Sequence, residues 1–312
     1  MARTRYAPDR GLTARMTLTM FLLGAVFVGF VVALVFILSA VHASSAAIVF
    51  FPVVLGLGLG IGSLYYSDKI ALRAAGAEVV TPQQAPELHG IIDRICALAD
   101  MPKPVVAISP VMMPNAFATG RNSKNAVVCV TRGLLNKLDR EELEGVLAHE
   151  MSHVAHKDVV VMTVASFLGI IAGLLVRFAF YSELFGGDRR GGNNNNGGAL
   201  PVMLIIMLVS IVVYAISFLL IRLLSRYREL AADRSGALLT GQPSKLASAL
   251  TKVSGDIARI PSRDLRDAEA LNAFYFAPAI TSGQSLANLF STHPSLDKRL
   301  QQLDKISKQL GQ

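Results

Sequence analysis

The sequence predicts an α+β protein in which four transmembrane helices accompany a polar, mostly helical part with a small β-sheet. Of the 312 residues, 52% are hydrophobic and 17% are charged, whereas typical soluble domains contain about 25% charged residues. Four long runs carry almost no charge, and a helix needs about 20 apolar residues to cross a bilayer. Two short β-branched runs, residues 105–108 and 126–130, are typical of strands.

The four apolar runs are the candidate membrane helices: residues 16–41, 43–67, 159–181 and 199–221. The third run contains Arg177, whose long side chain is expected to reach the membrane interface. The first run is too long for a signal peptide and lacks a small-residue cleavage pattern, so we interpret it as a retained anchor.

The distribution of Lys and Arg predicts that both termini face the cytoplasm, because positive charge accumulates on that side of a membrane protein. Residues 42–45 carry no Lys or Arg, and the Gly/Asn-rich residues 186–198 are predicted to be a flexible connector on the far side. The basic residues that flank the runs are Arg3, Arg5, Arg10, Arg15, Lys69, Arg73, Arg222, Arg226 and Arg228.

Charge and cysteine content argue against a nucleic-acid-binding protein and against a disulfide-stabilised fold. The net charge of +8 is explained by the residues that flank the membrane runs, so we predict no nucleic-acid partner. Cys96 and Cys129 lack CxxC spacing and predict free thiols in a reducing compartment.

The chain is predicted to have four parts: residues 1–67, 68–158, 159–221 and 222–312. The second and fourth parts share the cytoplasmic side and are together large enough for one domain. Residues 81–84 resemble a capping box that starts a helix reaching about Ala99. The buried face of that helix is expected to carry Leu88, Ile91, Ile92, Ile95 and Leu98. Residues 139–142 form a second capping box, at the start of a further helix.

That second helix carries the sequence His149-Glu150-Met151-Ser152-His153. Residues four apart lie on one face of a helix, so both imidazoles can bind one metal ion while Glu150 acts on water without binding the metal. This HExxH pattern is the zinc protease arrangement. The alternatives are two surface histidines beside an acid, and His156 as a further ligand on the same helix.

A third ligand must lie on the same side of the membrane as His153 and at a similar depth. Glu229 follows the fourth run closely, and two runs separate it from His153, which satisfies both conditions. Asp233 is four residues further along and can accept a hydrogen bond from a ligand histidine. The alternative is a solvated helix face on which these acids pair with Arg226 and Arg228.

With these motifs in order, the chain resembles the HtpX-type family of membrane zinc metalloproteases and, more distantly, the CAAX prenyl proteases. The resemblance covers nearly the whole chain. It rests on the paired N-terminal runs and on four motifs: residues 115–120 (NAFATG), 149–153 (HEMSH), 226–233 (RYRELAAD) and 291–299 (STHPSLDKR).

The resemblance implies a gluzincin-like domain with one Zn²⁺, for which Glu229 is the third ligand. It implies that His293 lies near the active-site cleft as a catalytic residue, with Arg299 as a companion. The expected substrates are misfolded membrane proteins, cut on the cytoplasmic side of the bacterial inner membrane. Such quality control implies a role in a stress response. The lipid bilayer is an expected partner of the protein.

In the predicted mechanism of peptide-bond hydrolysis, Glu150 is the general base, and His293 helps the metal to stabilise the oxyanion. Asn115, Ala116 and Phe117 belong to a segment that either pairs with an extended substrate or forms a core strand with Phe117 packed inside. Three other functions remain open: a CAAX-type processing protease, a non-catalytic scaffold with a structural zinc site, and a channel or transporter.

Overall fold

The computed structural model describes residues 10–40, 46–185, 199–257 and 293–312. The chain divides into two compact units. Among the described residues, the sheet unit contains 10–15, 64–161, 225–257 and 293–312, and the helical unit contains those within 16–63 and 162–224. Each unit is therefore assembled from segments that are distant in sequence.

The helical unit is built from parts of four long helices: α1 (Arg10–Ala40), α2 (Ala46–Ala74), α6 (Asp158–Phe185) and α7 (Ala199–Thr240). Phe30 and Leu34 of α1 share a buried cluster with Leu175 of α6 and Ile206 of α7. Large apolar side chains such as Phe36 are exposed. Exposed apolar side chains on long apolar helices are expected where lipid replaces water.

Three helices among the described residues are long and apolar enough to cross a membrane: Arg10–Ile37, Asp158–Arg177 and Leu204–Thr240. The predicted second span falls on α2, many of whose side chains lie outside the described part of the chain. The count of four spans therefore stays a prediction. The short link at 42–45 and the Gly/Asn-rich loop at 186–198 also fall outside the described residues.

The sheet unit contains a four-stranded mixed sheet in the order β1-β2-β4-β3. Its strands are β1 (Glu78–Val79), β2 (Val105–Ser109), β3 (Ala116–Thr119) and β4 (Val127–Thr131). Strands β2 and β4 are parallel, and β3 lies antiparallel to β4 at an edge of the sheet. The two β-branched runs are strands, as predicted, and they form the centre of the sheet.

Helix α3 (Pro86–Ala99) begins later than its capping box predicts. The Gln84 side chain does accept a hydrogen bond from the Thr81 backbone N–H at 2.8 Å, but within a turn that precedes the helix. The predicted start at residue 81 was wrong because a residue before proline is disfavoured in the α region, and Ala85 precedes Pro86. The predicted end at Ala99 is confirmed, with Asp100 in the left-handed conformation.

Helix α5 (Arg140–Ala155) lies at the centre of the sheet unit and follows the short α4 (Arg132–Lys137). The predicted capping box is present: the Asp139 side chain accepts from the Glu142 N–H, and Glu142 accepts from the Asp139 N–H. The helix packs against α3, β3 and α8 (Pro243–Ile257). The last helix, α9 (Leu296–Gln309), packs against α8. The core around α5 keeps its polar residues in fixed positions.

Candidate metal centre and active site

Three side chains from two helices converge in the sheet unit. His149 and His153 project from α5, and Glu229 projects from α7. The Nε2 atoms of His149 and His153 lie 3.2 Å apart. Each Nε2 lies 3.6 Å from a carboxylate oxygen of Glu229, Oε2 for His149 and Oε1 for His153. Among the described residues, this is the one group of metal-binding side chains that lie close enough together to hold a metal ion.

The spacing of these atoms fits a tetrahedral zinc ion. Zinc binds histidine nitrogen and carboxylate oxygen at about 2.0–2.2 Å, which in a tetrahedron separates neighbouring ligand atoms by about 3.3–3.6 Å. The observed separations of 3.2 to 3.6 Å bracket that value. Two histidines and a carboxylate are also a donor set that zinc enzymes use, with the fourth position left for water or substrate.

His149 is held by a carboxylate and an arginine behind it. Its Nδ1 lies 3.0 Å from Oδ1 of Asp233. Because a carboxylate only accepts, Nδ1 carries the proton and the lone pair of Nε2 faces the other ligands. Arg299 donates two hydrogen bonds to Asp233, at 2.7 and 2.6 Å. Of the two predicted partners, Asp233 thus contacts His149 directly, and Arg299 acts on His149 through Asp233.

Burial and charge act in opposite directions on the histidines. Burial lowers the pKa of His149, but the carboxylates of Asp233 and Glu229 outweigh it and raise the pKa to about 9. Burial lowers the pKa of His153 to about 4, and the charge of Glu229 opposes that shift only in part. The carboxylates therefore favour a positive charge at this position, whether a proton or a metal ion carries it.

His153 has a corresponding partner that the sequence did not indicate. Its Nδ1 lies 2.6 Å from Oδ2 of Asp158. Asp158 in turn forms an ion pair with Arg228, and the side chains of both residues are largely buried. Neither residue was predicted as part of the site. Arg228 was predicted to flank a membrane run, with pairing to Glu229 or Asp233 on a solvated helix face as the alternative.

Glu150 faces the strand β3. Its Oε2 accepts a hydrogen bond of 3.1 Å from the backbone N–H of Ala118, which holds the carboxylate in one orientation. Burial raises the pKa of the Glu150 carboxyl, against the charges of His149 and His153, which lower it. A raised pKa moves a carboxylate toward the range in which it both takes and returns protons near neutral pH.

The predicted substrate segment forms an edge strand beside the site. Thr131 donates its backbone N–H to Asn115, so residues 115, 117 and 119 pair with β4. In an antiparallel ladder the alternate residues, Ala116 and Ala118, then direct their N–H and C=O groups away from β4. The side chain of Phe117 packs in a core cluster with Ala107 and Cys129. The packing of Phe117 and the complete burial of Ala116 agree with the interpretation as a core strand, and pairing with a substrate stays a prediction.

His293 also reaches the site, since its Nδ1 lies 3.2 Å from Oε2 of Glu229. His156 lies at the C-cap of α5 with an exposed side chain. Of the predicted site residues, the structure thus gathers His149, His153, Glu229, Asp233, Arg299 and His293 around one point, with Glu150 next to them.

One glycine sets the distance between the two helices that carry the ligands. A Cβ added to Gly236 of α7 would lie 2.8 Å from the backbone nitrogen of His149 and 3.1 Å from the carbonyl carbon of Ala148. These are backbone atoms, which cannot move aside as a flexible side chain does. Gly236 could not be singled out from the sequence, because a single glycine inside a helical run carries no local signal of a close helix contact.

A unit of long apolar helices and a HExxH helix with a distant glutamate together define a membrane-associated metalloprotease. Residues 82–307 match peptidase family M48, and the chain belongs to that family. It is therefore a protease that acts on polypeptides, and the family implies a metal at the site.

Related proteins share nearly the whole chain. Protease HtpX homolog 1 of Streptomyces coelicolor is 60% identical over 99% of this chain and 97% of its own length. Protease HtpX homolog 2 of Methanosarcina acetivorans is 49% identical over 99% of this chain and 100% of its own length. The crystal structure of S. mikatae Ste24p matches with a TM-score of 0.51 and 17% identity, covering 95% of this chain and 67% of that chain. That likeness concerns the fold alone.

Proposed function

We propose that this protein is a zinc-dependent endopeptidase that cuts misfolded membrane proteins on the cytoplasmic side of the bacterial inner membrane. The observation that carries the proposal is the set of three distances between the Nε2 atoms of His149 and His153 and the Glu229 carboxylate, 3.2, 3.6 and 3.6 Å. These distances suit one tetrahedral zinc ion with an open fourth position.

In this proposal His149, His153 and Glu229 hold the metal, and Asp233 and Arg299 orient His149. When bound there, zinc would lower the pKa of water and polarise a carbonyl group. Arg299 lies 3.8 Å from Glu229 as well as in contact with Asp233, so a single buried cation balances two carboxylates. That balance limits electrostatic repulsion between the acids before any substrate arrives.

Glu150 is proposed as the general base. It takes a proton from the attacking water and returns it to the amine that leaves when the peptide bond breaks, a role that suits a buried carboxylate with a raised pKa. The hydrogen bond from Ala118 fixes its position relative to the edge strand. His293 is proposed as a donor to the oxyanion, since its contact with Glu229 keeps it beside the ligands.

The edge strand β3 is proposed to receive the substrate as an added strand. Backbone pairing along a strand needs no particular side chain, which suits a protease for misfolded proteins of many sequences. Because Ala118 also donates to Glu150, a peptide paired along this edge would lie next to the general base. Asn115 and Phe117 would then support the strand from within the protein.

The test compares wild type with Glu150→Gln, both purified in detergent with zinc. Zinc content and cleavage of casein, an unfolded polypeptide, are measured on the same samples. We expect equal zinc in both proteins and a loss of activity of about 10²–10⁴-fold in the variant, the usual contribution of a general base.

The matched control is Glu144→Gln, which changes another buried glutamate on α5 that pairs with Arg94 away from the site. It should keep both zinc and activity. Equal activity in wild type and Glu150→Gln would contradict the mechanism, and zinc without activity in wild type would favour a structural metal site.

The cytoplasmic location and the substrate class need a separate experiment. Cysteines introduced near Lys69 and in the predicted far-side loop at residues 186–198 are probed with a membrane-impermeant thiol reagent in sealed inverted vesicles. We expect labelling near Lys69 only. Cleavage of a destabilised membrane protein, but not of its stable parent, would support a role in quality control. Cleavage of both at the same rate would argue against it.

A further inference from the structure

We propose that Asp158 is a positioning residue for the metal ligand His153, and that Arg228 holds Asp158 in place. The inference rests on the proposed zinc site. His153, Asp158 and Arg228 would form a second chain equivalent to that of His149, Asp233 and Arg299. Each ligand histidine would then have its own carboxylate, and each carboxylate its own arginine.

The contact between His153 and Asp158 has the geometry of a strong, charge-assisted hydrogen bond. The Nδ1–Oδ2 distance is 2.6 Å, and the two side chains are only 17% and 11% exposed. With Nδ1 donating to the carboxylate, Nε2 keeps the lone pair that a metal ion needs. Such partners of metal-ligating histidines fix the orientation of the ring and raise its basicity.

Arg228 supplies the opposite charge that a buried carboxylate requires. Its side chain is only 3% exposed and pairs with Oδ1, the oxygen of Asp158 that does not face His153. Arg228 is also the residue directly before the ligand Glu229 on α7. Through Asp158, the ion pair therefore connects one ligand on α5 with the backbone that carries another ligand on α7.

A single residue of the backbone places Asp158 at this position. Lys157 lies between α5 and α6 with a φ of +56°, in the left-handed region. The N–H groups of His156 and Lys157 bond back to Ser152 and Val154, which closes the end of α5. Asp158 then begins α6 within reach of the His153 ring. Because α6 is a candidate membrane span, the orientation of His153 depends on where that helix starts.

The test measures metal affinity rather than activity alone. Wild type, Asp158→Asn and Glu144→Gln are purified as full-length chains in detergent. Zinc affinity is measured by competition with a chelator, the Co²⁺-substituted proteins are compared by visible absorption, and unfolding is followed with excess chelator. Glu144→Gln is the matched control, since Glu144 is a buried carboxylate on α5 that pairs with an arginine but contacts no ligand.

We expect Asp158→Asn to bind zinc about 10–100-fold more weakly, the usual effect of losing such a partner. Its Co²⁺ spectrum should change, whereas Glu144→Gln should keep wild-type affinity and spectrum. An affinity of Asp158→Asn within twofold of wild type, with an unchanged spectrum, would overturn the inference alone. Wild type without bound zinc would overturn the proposed function and the inference with it.

If Asp158→Asn does not fold, Asp158→Glu decides the question, because it keeps the charge opposite Arg228 and moves only the carboxylate. We expect it to fold with a changed Co²⁺ spectrum and an intermediate zinc affinity. Wild-type affinity and spectrum in Asp158→Glu would overturn the inference.

Discussion

The two ligand histidines are held by the same three kinds of side chain, but in different surroundings. The chain His149–Asp233–Arg299 is almost completely buried, with exposed fractions of 1%, 0% and 1%. The chain His153–Asp158–Arg228 is more open, with 17%, 11% and 3%. The first connects three helices that are distant in sequence, whereas Asp158 follows its histidine by five residues.

This difference separates two tasks. Asp233 and Arg299 both orient a ligand and join α7 to α9 within the core, so their loss removes metal binding and stability together. Asp158 orients its ligand at the start of a helix, where the His153 side chain is partly exposed, so its loss is expected to weaken metal binding more than folding. Buried charges are costly to leave unpaired, and the cost falls where water reaches the group.

The largest effect is expected for Asp233→Asn. The substitution leaves Arg299 buried without its main counter-charge, which costs about 3–5 kcal/mol of the free energy of unfolding. Chemical unfolding in detergent with excess chelator, followed by circular dichroism, measures this cost. Asp158→Asn provides the comparison under the same conditions. Equal loss of stability in both variants would refute the proposed difference between the two chains.

Gly236→Ala should have the next largest effect. The added methyl group would meet the backbone of His149, so α5 and α7 must move apart. Overpacking of this kind costs about 1–3 kcal/mol. The separation should also weaken zinc binding, because Asp233 and Glu229 move with α7. Thermal unfolding and zinc affinity are measured together.

Gly90→Ala is the control for this substitution. Gly90 lies within α3 and has nothing within 4 Å of an added Cβ. Alanine there should be neutral or stabilise by up to about 1 kcal/mol, since it favours the helix. Unchanged stability and zinc affinity in Gly236→Ala would show that the close helix contact does not set the site.

Arg299→Lys tests whether the planar guanidinium matters in the buried chain. Lysine keeps the charge but cannot make the two parallel hydrogen bonds to Asp233. We expect zinc affinity to fall by roughly tenfold, as for other partners of ligand histidines. An unchanged affinity would mean that charge alone orients Asp233.

The smallest effect is expected at the start of α5, where Glu142 serves stability without touching the site. Burial raises the pKa of this carboxyl, but hydrogen bonds from Lys252, Ser248 and the Asp139 N–H outweigh it, and the pKa is lowered. The ionised group therefore stabilises the fold above its unfolded pKa of about 4.3, and this contribution is lost as the pH falls through the lower folded value.

Glu142→Gln should thus lower the stability by about 1 kcal/mol near neutral pH. The gap in melting temperature to wild type should narrow as the pH falls below about 4.3, toward the lower folded pKa of Glu142. Zinc affinity at neutral pH should not change. A gap that is constant with pH would contradict the role of the ionised carboxylate.

The sequence was sufficient for features that depend on local pattern. The capping box at Asp139 and the HExxH spacing are read directly from residue order, and Glu229 followed from its distance to the apolar run. Asp158 could not be predicted, because its contact with His153 depends on a left-handed residue at Lys157. Only glycine signals that conformation reliably in a sequence.

Contacts between segments that are distant in sequence were also hard to predict. The bond from Ala118 to Glu150 depends on how β3 packs against α5, which residue order does not encode locally. The start of α3 was misplaced because two prolines compete for it, and the second, Pro86, determines the first helical residue. The three candidate metal ligands were therefore predictable, whereas most of the residues that contact them were not.

The most direct test of the account is zinc K-edge X-ray absorption of the purified wild-type protein. We predict nitrogen and oxygen ligands only, at about 2.0–2.2 Å, with the scattering pattern of two imidazoles. The Glu229→Gln variant should lose most of its zinc. Sulfur scattering at about 2.3 Å would contradict the proposed site, because it would place a cysteine at the metal instead of this histidine pair and glutamate.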